Sequence, residues 1–147
     1  MSTRVSLAFI LSLLLGSALG AQDGYRVIVN PINPVTSLSK AQVSKLFLEK
    51  TVWDDGVPAA PVDLLPVSSV REVFSREILG APAASVTERW RKASASGLVP
   101  PPAVASDREV LAYVRLKPGA IGYVRMSEVN NSVKVVAKVS GGKLSAP

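Results

Sequence analysis

The 147-residue sequence contains no cysteine and no histidine. Without cysteine there is no disulfide, no thiol nucleophile and no thiolate metal site. Without histidine the usual general base and the commonest transition-metal ligand are both missing. A Ser–His–Asp hydrolase and a zinc enzyme are therefore excluded. Aromatic residues make up only 5% of the chain, too few for the stacking platform that single-stranded nucleic acid requires. No P-loop or dinucleotide glycine pattern occurs, and the eleven carboxylates form no legible paired-acid constellation. The expectation is a protein that is not an enzyme, carries no cofactor and has no nucleic-acid partner.

What is present begins with residues 1–20. One early cation, Arg4, precedes the apolar run from Leu7 to Leu15, and small residues follow from Gly16 to Ala21. This is the pattern of a cleavable secretory signal peptide, cut after Gly20. The alternative is a membrane anchor, but the run is short for a hydrocarbon core about 30 Å thick. No cysteine follows it that could take a lipid. No later stretch is apolar enough to span a membrane. A periplasmic or secreted protein is expected, with one domain over residues 21–147 and a core over about 25–139. Once Arg4 is removed, sixteen cations stand against eleven acids, a diffuse positive charge that favours small anions or an acidic surface.

β-branched runs at residues 26–30, 58–64, 120–124 and 132–139 read as strands. In the last, Val133, Val135 and Ala137 alternate with Lys134, Val136 and Lys138. Four S-x-x-E/Q pairs read as capping boxes that open helices: Ser39 with Gln42, Ser69 with Glu72, Ser85 with Glu88, and Ser106 with Glu109. Asp54-Asp55-Gly56 is a turn, and Trp53 beside it is a packing lid. Residues 96–105, with three consecutive prolines, are an extended connector, and residues 141–147 a polar tail. Strands separated by helices give an α/β sandwich.

One stretch organises the rest. The strand ending in Val62-Asp63-Leu64 leads through a short loop into a helix with Val70, Val73, Phe74 and Ile78 on its apolar face and Gly80 at its end. A helix start directly after a strand presents free N–H groups and a positive dipole end, which suits an anion. Ser68, Ser69 and the backbone N–H of Val70 are the candidate ligands, with Arg71 as an outer, solvent-facing charge. The alternative is a capped helix that binds nothing. Ser106 and Asp107 resemble this start, but no strand is legible before them.

Three segments in order resemble the periplasmic phosphate-binding proteins of ABC transporters. Residues 37–50 (SLSKAQVSKLFLEK) with Trp53 resemble their "sLs…l..iF.Gk…W" segment. Residues 68–79 resemble their "SGT…F…yL" helix start, and residues 118–124 (PGAIGYV) match their "pGaIGYv" strand. The resemblance implies a three-layer α/β sandwich with a mixed sheet, like one lobe of a type II periplasmic binding protein. It places the family's serine at Ser68 and its glycine at Ser69. Val70 replaces a hydroxyl-bearing threonine, and the family's arginine and acidic positions fall at Leu64 and Pro66. An arginine is a bidentate phosphate donor, so a weakened donor set is implied. The expected function is that of an exported, substrate-binding-protein-like domain that binds phosphate or another small oxyanion weakly, as an accessory of ABC-type uptake. The alternative is a structural or protein-interaction module that kept the lobe and lost the ligand, its partner being transporter components or a second copy.

Overall fold

The computed structural model describes residues 24–147; the signal-peptide reading of residues 1–20 lies outside them. Seven strands and four helices follow in the order β1 (Tyr25–Val29), α1 (Lys40–Glu49), β2 (Ala60–Pro61), β3 (Asp63–Leu64), α2 (Ser69–Phe74), α3 (Ala83–Ser94), β4 (Ala103–Val104), α4 (Asp107–Leu116), β5 (Ala120–Arg125), β6 (Lys134–Ser140) and β7 (Lys143–Ser145). The main sheet has the order β2-β5-β1-β6-β7. It is mixed: β1 runs antiparallel to β5 and β6, whereas β2 runs parallel to β5. Beside it β3 and β4 form a parallel pair. One extended segment joins the two, because Ala60 and Val62 donate to Gly119 and Ile121, whereas Asp63 and Leu65 donate to Pro102 and Val104. The small pair thus extends the large sheet at its edge.

Alternation along β5 builds the layers. On one face, Gly122 lies under α4, where an added Cβ would come within 2.7 Å of Val110 Cγ1 and 3.0 Å of Val62 Cγ1. Only glycine lets that helix approach so closely. On the other face, Tyr123 stacks on Phe74 of α2 at 3.8 Å, and Phe47 of α1 meets Phe74 edge-on at 4.9 Å. Helices therefore cover both faces, and the three-layer mixed-sheet sandwich is present. Phe47, Phe74 and Tyr123 are almost fully buried, so most of the scarce aromatic content is core.

The local signals succeed unevenly. At α1 both halves of the Ser39–Gln42 box form, at 3.2 and 2.8 Å. Trp53 is buried and donates its indole N–H to Gly119 O at 2.9 Å, which makes it the lid expected. Gly80 adopts the left-handed conformation, φ 77°, after a π turn over Ser75–Leu79 that continues α2.

Four expectations need correction. β4 lies inside the proline-rich connector, and β7 lies inside the polar tail. The alternation of β6 fails at a bulge, where Val27 faces Ala137 but Ile28 faces Val135. The inserted Val136 is buried, and its carbonyl accepts from Leu38 N at 3.0 Å. Finally, α3 starts at Ala83 after Pro82, two residues before the Ser85–Glu88 box. Glu72 of the neighbouring helix explains this, since its carboxylate accepts the Ala83 N–H at 3.1 Å. A tertiary cap has displaced the local one.

Candidate functional site

Because β3 and β4 are parallel, their carboxyl ends point to one edge of the sheet. Each feeds a helix headed by serine. The strand missing from the sequence reading before Ser106 is β4, so α2 and α4 both begin beyond the carboxyl ends of the paired strands β3 and β4.

At α2 the N-cap is Ser68, not Ser69. Its Oγ accepts the Arg71 N–H at 3.3 Å, and its carbonyl accepts Glu72 N at 3.2 Å. Ser69 is the first helical residue and is exposed. Glu72, expected to complete a box with Ser69, is turned away to Ala83 N and to Arg76, whose Nε donates at 2.6 Å. Among the described residues no acceptor meets the N–H groups of Ser69 and Val70. Those two donors and the Ser68 hydroxyl form a small, open set.

Arg71 does not face solvent. It is only 4% exposed. Its Nη1 lies 3.0 Å from Asp63 Oδ2 and donates to Leu64 O at 2.7 Å. The other carboxylate oxygen, Oδ1, accepts from the Tyr123 hydroxyl and from Leu64 N at 2.9 Å. Burial pushes the Asp63 pKa up, while Arg71, Tyr123 and the Leu64 N–H pull it down. Burial, reinforced by the adjacent Asp63, holds the Tyr123 phenol protonated well above its ordinary range. The group is thus an internal brace that ties the loop before α2 to the sheet. Sequence reasoning passed over Asp63. An acid inside the apolar run Val62-Asp63-Leu64 is the signal that could have found it, because a buried carboxylate requires a partner.

At α4 the charge is arranged differently. Ser106 Oγ accepts Glu109 N at 3.2 Å, and Glu109 returns to accept from Ala105 N at 2.9 Å and from the Ser106 hydroxyl at 3.1 Å. Asp107, nearly buried, pairs with Arg125 Nε at 3.2 Å across a guanidinium that is 60% exposed. Burial raises the Asp107 pKa against the pull of Arg125. Two acids of its own already occupy this helix start. The structure therefore brings Ser68, Ser69 and Val70 together and takes the Arg71 side chain elsewhere. Among the described residues no cluster of three metal-ligating side chains occurs, and no helix is long and apolar enough to cross a membrane.

An α/β lobe whose parallel strands deliver two helix starts to one edge is the architecture of a type II periplasmic binding protein. Solved structures agree. A Clostridium perfringens protein assigned as a phosphate ABC transporter substrate-binding protein, with bound phosphate, matches at 26% identity and TM-score 0.64, over 79% of this chain and 45% of its own. An ABC-type phosphate transport receptor from Vibrio cholerae matches at 22% identity and TM-score 0.60, over 78% and 45%. PstS from Borrelia burgdorferi matches at 16% identity and TM-score 0.62, over 79% and 47%. The chain has a PstS-like fold and spans less than half the length of these structures. No protein-family model and no curated protein matches it.

Proposed function

We propose that this chain is an exported, non-catalytic, substrate-binding-protein-like domain that takes phosphate or another small oxyanion weakly at the start of α2. One observation carries the reading. Of two serine-capped helix starts on the same edge, that of α2 has its one first-turn acid, Glu72, committed to Ala83 N and Arg76, whereas that of α4 carries both Asp107 and Glu109. The Ser69 and Val70 N–H groups and the Ser68 hydroxyl are the donors. Arg71 acts through position, holding Leu64 O and Asp63 so that the loop before Ser68 stays in place. With three neutral donors and no guanidinium on the ligand, affinity belongs near the millimolar range, about −4 kcal/mol.

The relatives' association with phosphate supports the ligand class, and the signal-peptide pattern of residues 1–20 supports export to the periplasm, with ABC-type uptake as the setting. Residues 21–147 act as one unit in this proposal. Titration of the labelled protein with inorganic phosphate at low salt tests it by amide nuclear magnetic resonance. The Ser69 and Val70 signals move along one saturable curve, while those of Asp107 and Arg108 stay still. An absence of saturable shift at about 50 mM phosphate sinks the proposal.

A second reading rests on Val67, which is 90% exposed, and Leu65 beside it, also exposed. Apolar side chains next to the candidate site suit a protein interface, with transporter components or a second copy as partner. Light scattering after size exclusion separates the two, since a concentration-dependent dimer lost in Val67→Asp favours the interface.

A further inference from the structure

Exposed apolar side chains gather at the end of the molecule where β1 and α4 stop and β5 begins. Ile32 and Leu116 are each 73% exposed, and Val52 is 61% exposed. Large apolar residues left this open, close together and on a fixed frame, mark an interaction surface. The frame is built from buried polar groups. Asn30 accepts the Ile32 N–H at 3.0 Å and donates to the carbonyls of Val114 and Arg115, both at 3.0 Å. One carboxamide thus fixes Ile32 beside the end of α4. Trp53 anchors the turn that carries Val52, because its indole reaches Gly119 O just before β5 and its backbone N–H donates to Val57 O at 2.8 Å.

This surface has a knob and a socket. The knob is Leu116, the last residue of α4. The socket is a groove of about 710 Å³ with Val35, Leu38, Leu46, Val52 and Trp53 in its lining. A smaller cavity of about 140 Å³ joins them, since its wall includes Pro118, two residues beyond Leu116, and it shares Asn33, Trp53 and Asp55 with the socket. An apolar anchor needs such a pocket to be desolvated.

The charges beside knob and socket are opposite. Arg115 and Lys117 flank the knob, whereas Asp54 and Asp55 line the socket against the single cation Lys45. Arg115, Lys117, Asp54 and Asp55 are all exposed, and among the described residues none of the four belongs to an ion pair. Lys117 Nζ rests on its own helix, 4.5 Å from the Tyr113 ring centre. A face that holds both halves of a complementary pair fits a second copy of itself, because a two-fold axis seats each knob in the other socket.

We propose that this face joins two copies of the chain. Leu116 of each enters the groove of the other, and Arg115 and Lys117 meet the partner's Asp54 and Asp55. The starts of α2 and α4 lie at the opposite end of β5, where Arg125 reaches Asp107. The proposed oxyanion site therefore stays open in the dimer, and the Val67 surface takes no part in it.

Sedimentation velocity of the purified protein between about 10 µM and 1 mM reads the association. A concentration-dependent dimer forms, persists in Val67→Asp and is weakened about ten-fold or more in Leu116→Ser. Asp54→Lys combined with Asp55→Asn, which keeps an acceptor for Val57 N, is monomeric. Arg115→Glu combined with Lys117→Glu is monomeric as well. Mixed in equal amounts, these two double variants form a heterodimer, because each reversed patch then meets its opposite. The proposal is overturned by a wild type that stays monomeric at about 1 mM, by growth beyond the dimer, or by a dimer indifferent to Leu116→Ser. It is equally overturned by a mixture of the charge variants that stays monomeric, or by loss of the dimer in Val67→Asp, which would assign the contact to the other end of the sheet.

Discussion

The starts of α2 and α4 share a strand direction, a serine cap and an edge of the sheet, yet they differ in where their charges sit. At α4 the acids belong to the first turn itself, and Asp107 answers to Arg125 on the half-open surface. At α2 the ion pair between Asp63 and Arg71 is buried behind the helix, and the one first-turn acid, Glu72, is turned to Arg76 and Ala83 N. The same local geometry thus yields one start that carries two acids of its own and one whose single acid is committed elsewhere, the difference on which the proposed oxyanion site rests. A helix N-terminus becomes a site only where its own sequence has not already filled it.

The largest expected effect tests the buried against the exposed pair. Arg71→Met strands Asp63 among apolar neighbours and costs about 3–5 kcal/mol, read as a lowered unfolding midpoint in denaturant. Arg125→Met removes a mostly exposed guanidinium and costs about 0–1 kcal/mol. Combining Asp63→Leu with Arg71→Met recovers much of the loss, because a shape-matched apolar pair replaces the ions. Equal effects of the two arginine variants would remove the distinction.

Next in size are the caps. Ser68→Ala and Ser106→Ala each cost about 1 kcal/mol in the same measurement, and only the first also weakens phosphate. Making α2 resemble α4 gives a smaller effect of opposite sign. Ser69→Asp places a second acid in the first turn, beside Glu72, stabilises by about 0.3–1 kcal/mol and abolishes the phosphate shifts of Val70. A variant that still binds phosphate would show that the dipole end is not the site.

The smallest effect is the pH dependence at α4. Burial raises the Asp107 pKa above its unfolded value. Its contribution is therefore fully present below the unfolded pKa and is lost as pH rises through the folded one. Thermal melts across about pH 3 to 7 accordingly show the advantage of the wild type over Asp107→Asn shrinking as pH increases.

Much of the fold could be read from local chemistry. The α1 box, the Gly80 stop and the PGAIGYV strand each depend on residues within a few positions of one another, and all three stand in the structure. Signals failed where a distant group overrode a near one. Glu72 capped Ala83 and left the Ser85–Glu88 box unused as a helix start. The Asp63–Arg71 pair crosses a loop, so no helical or strand period could reveal it. β4 and β7 are two and three residues long, below the length at which alternation is legible. The helix start near Ser68 was therefore readable, whereas its actual cap and the fate of Arg71 required the tertiary structure.

The narrowness of the β3–β4 pair has a kinetic consequence. Each of its strands is two residues long, Asp63 N and Leu65 N are among the donors that hold residues 102–104, and β4 is largely solvent-exposed. Such a segment opens by local unfolding long before the main sheet does. Amide exchange at Asp63 and Leu65 should therefore run orders of magnitude faster than at Ile121 and Tyr123.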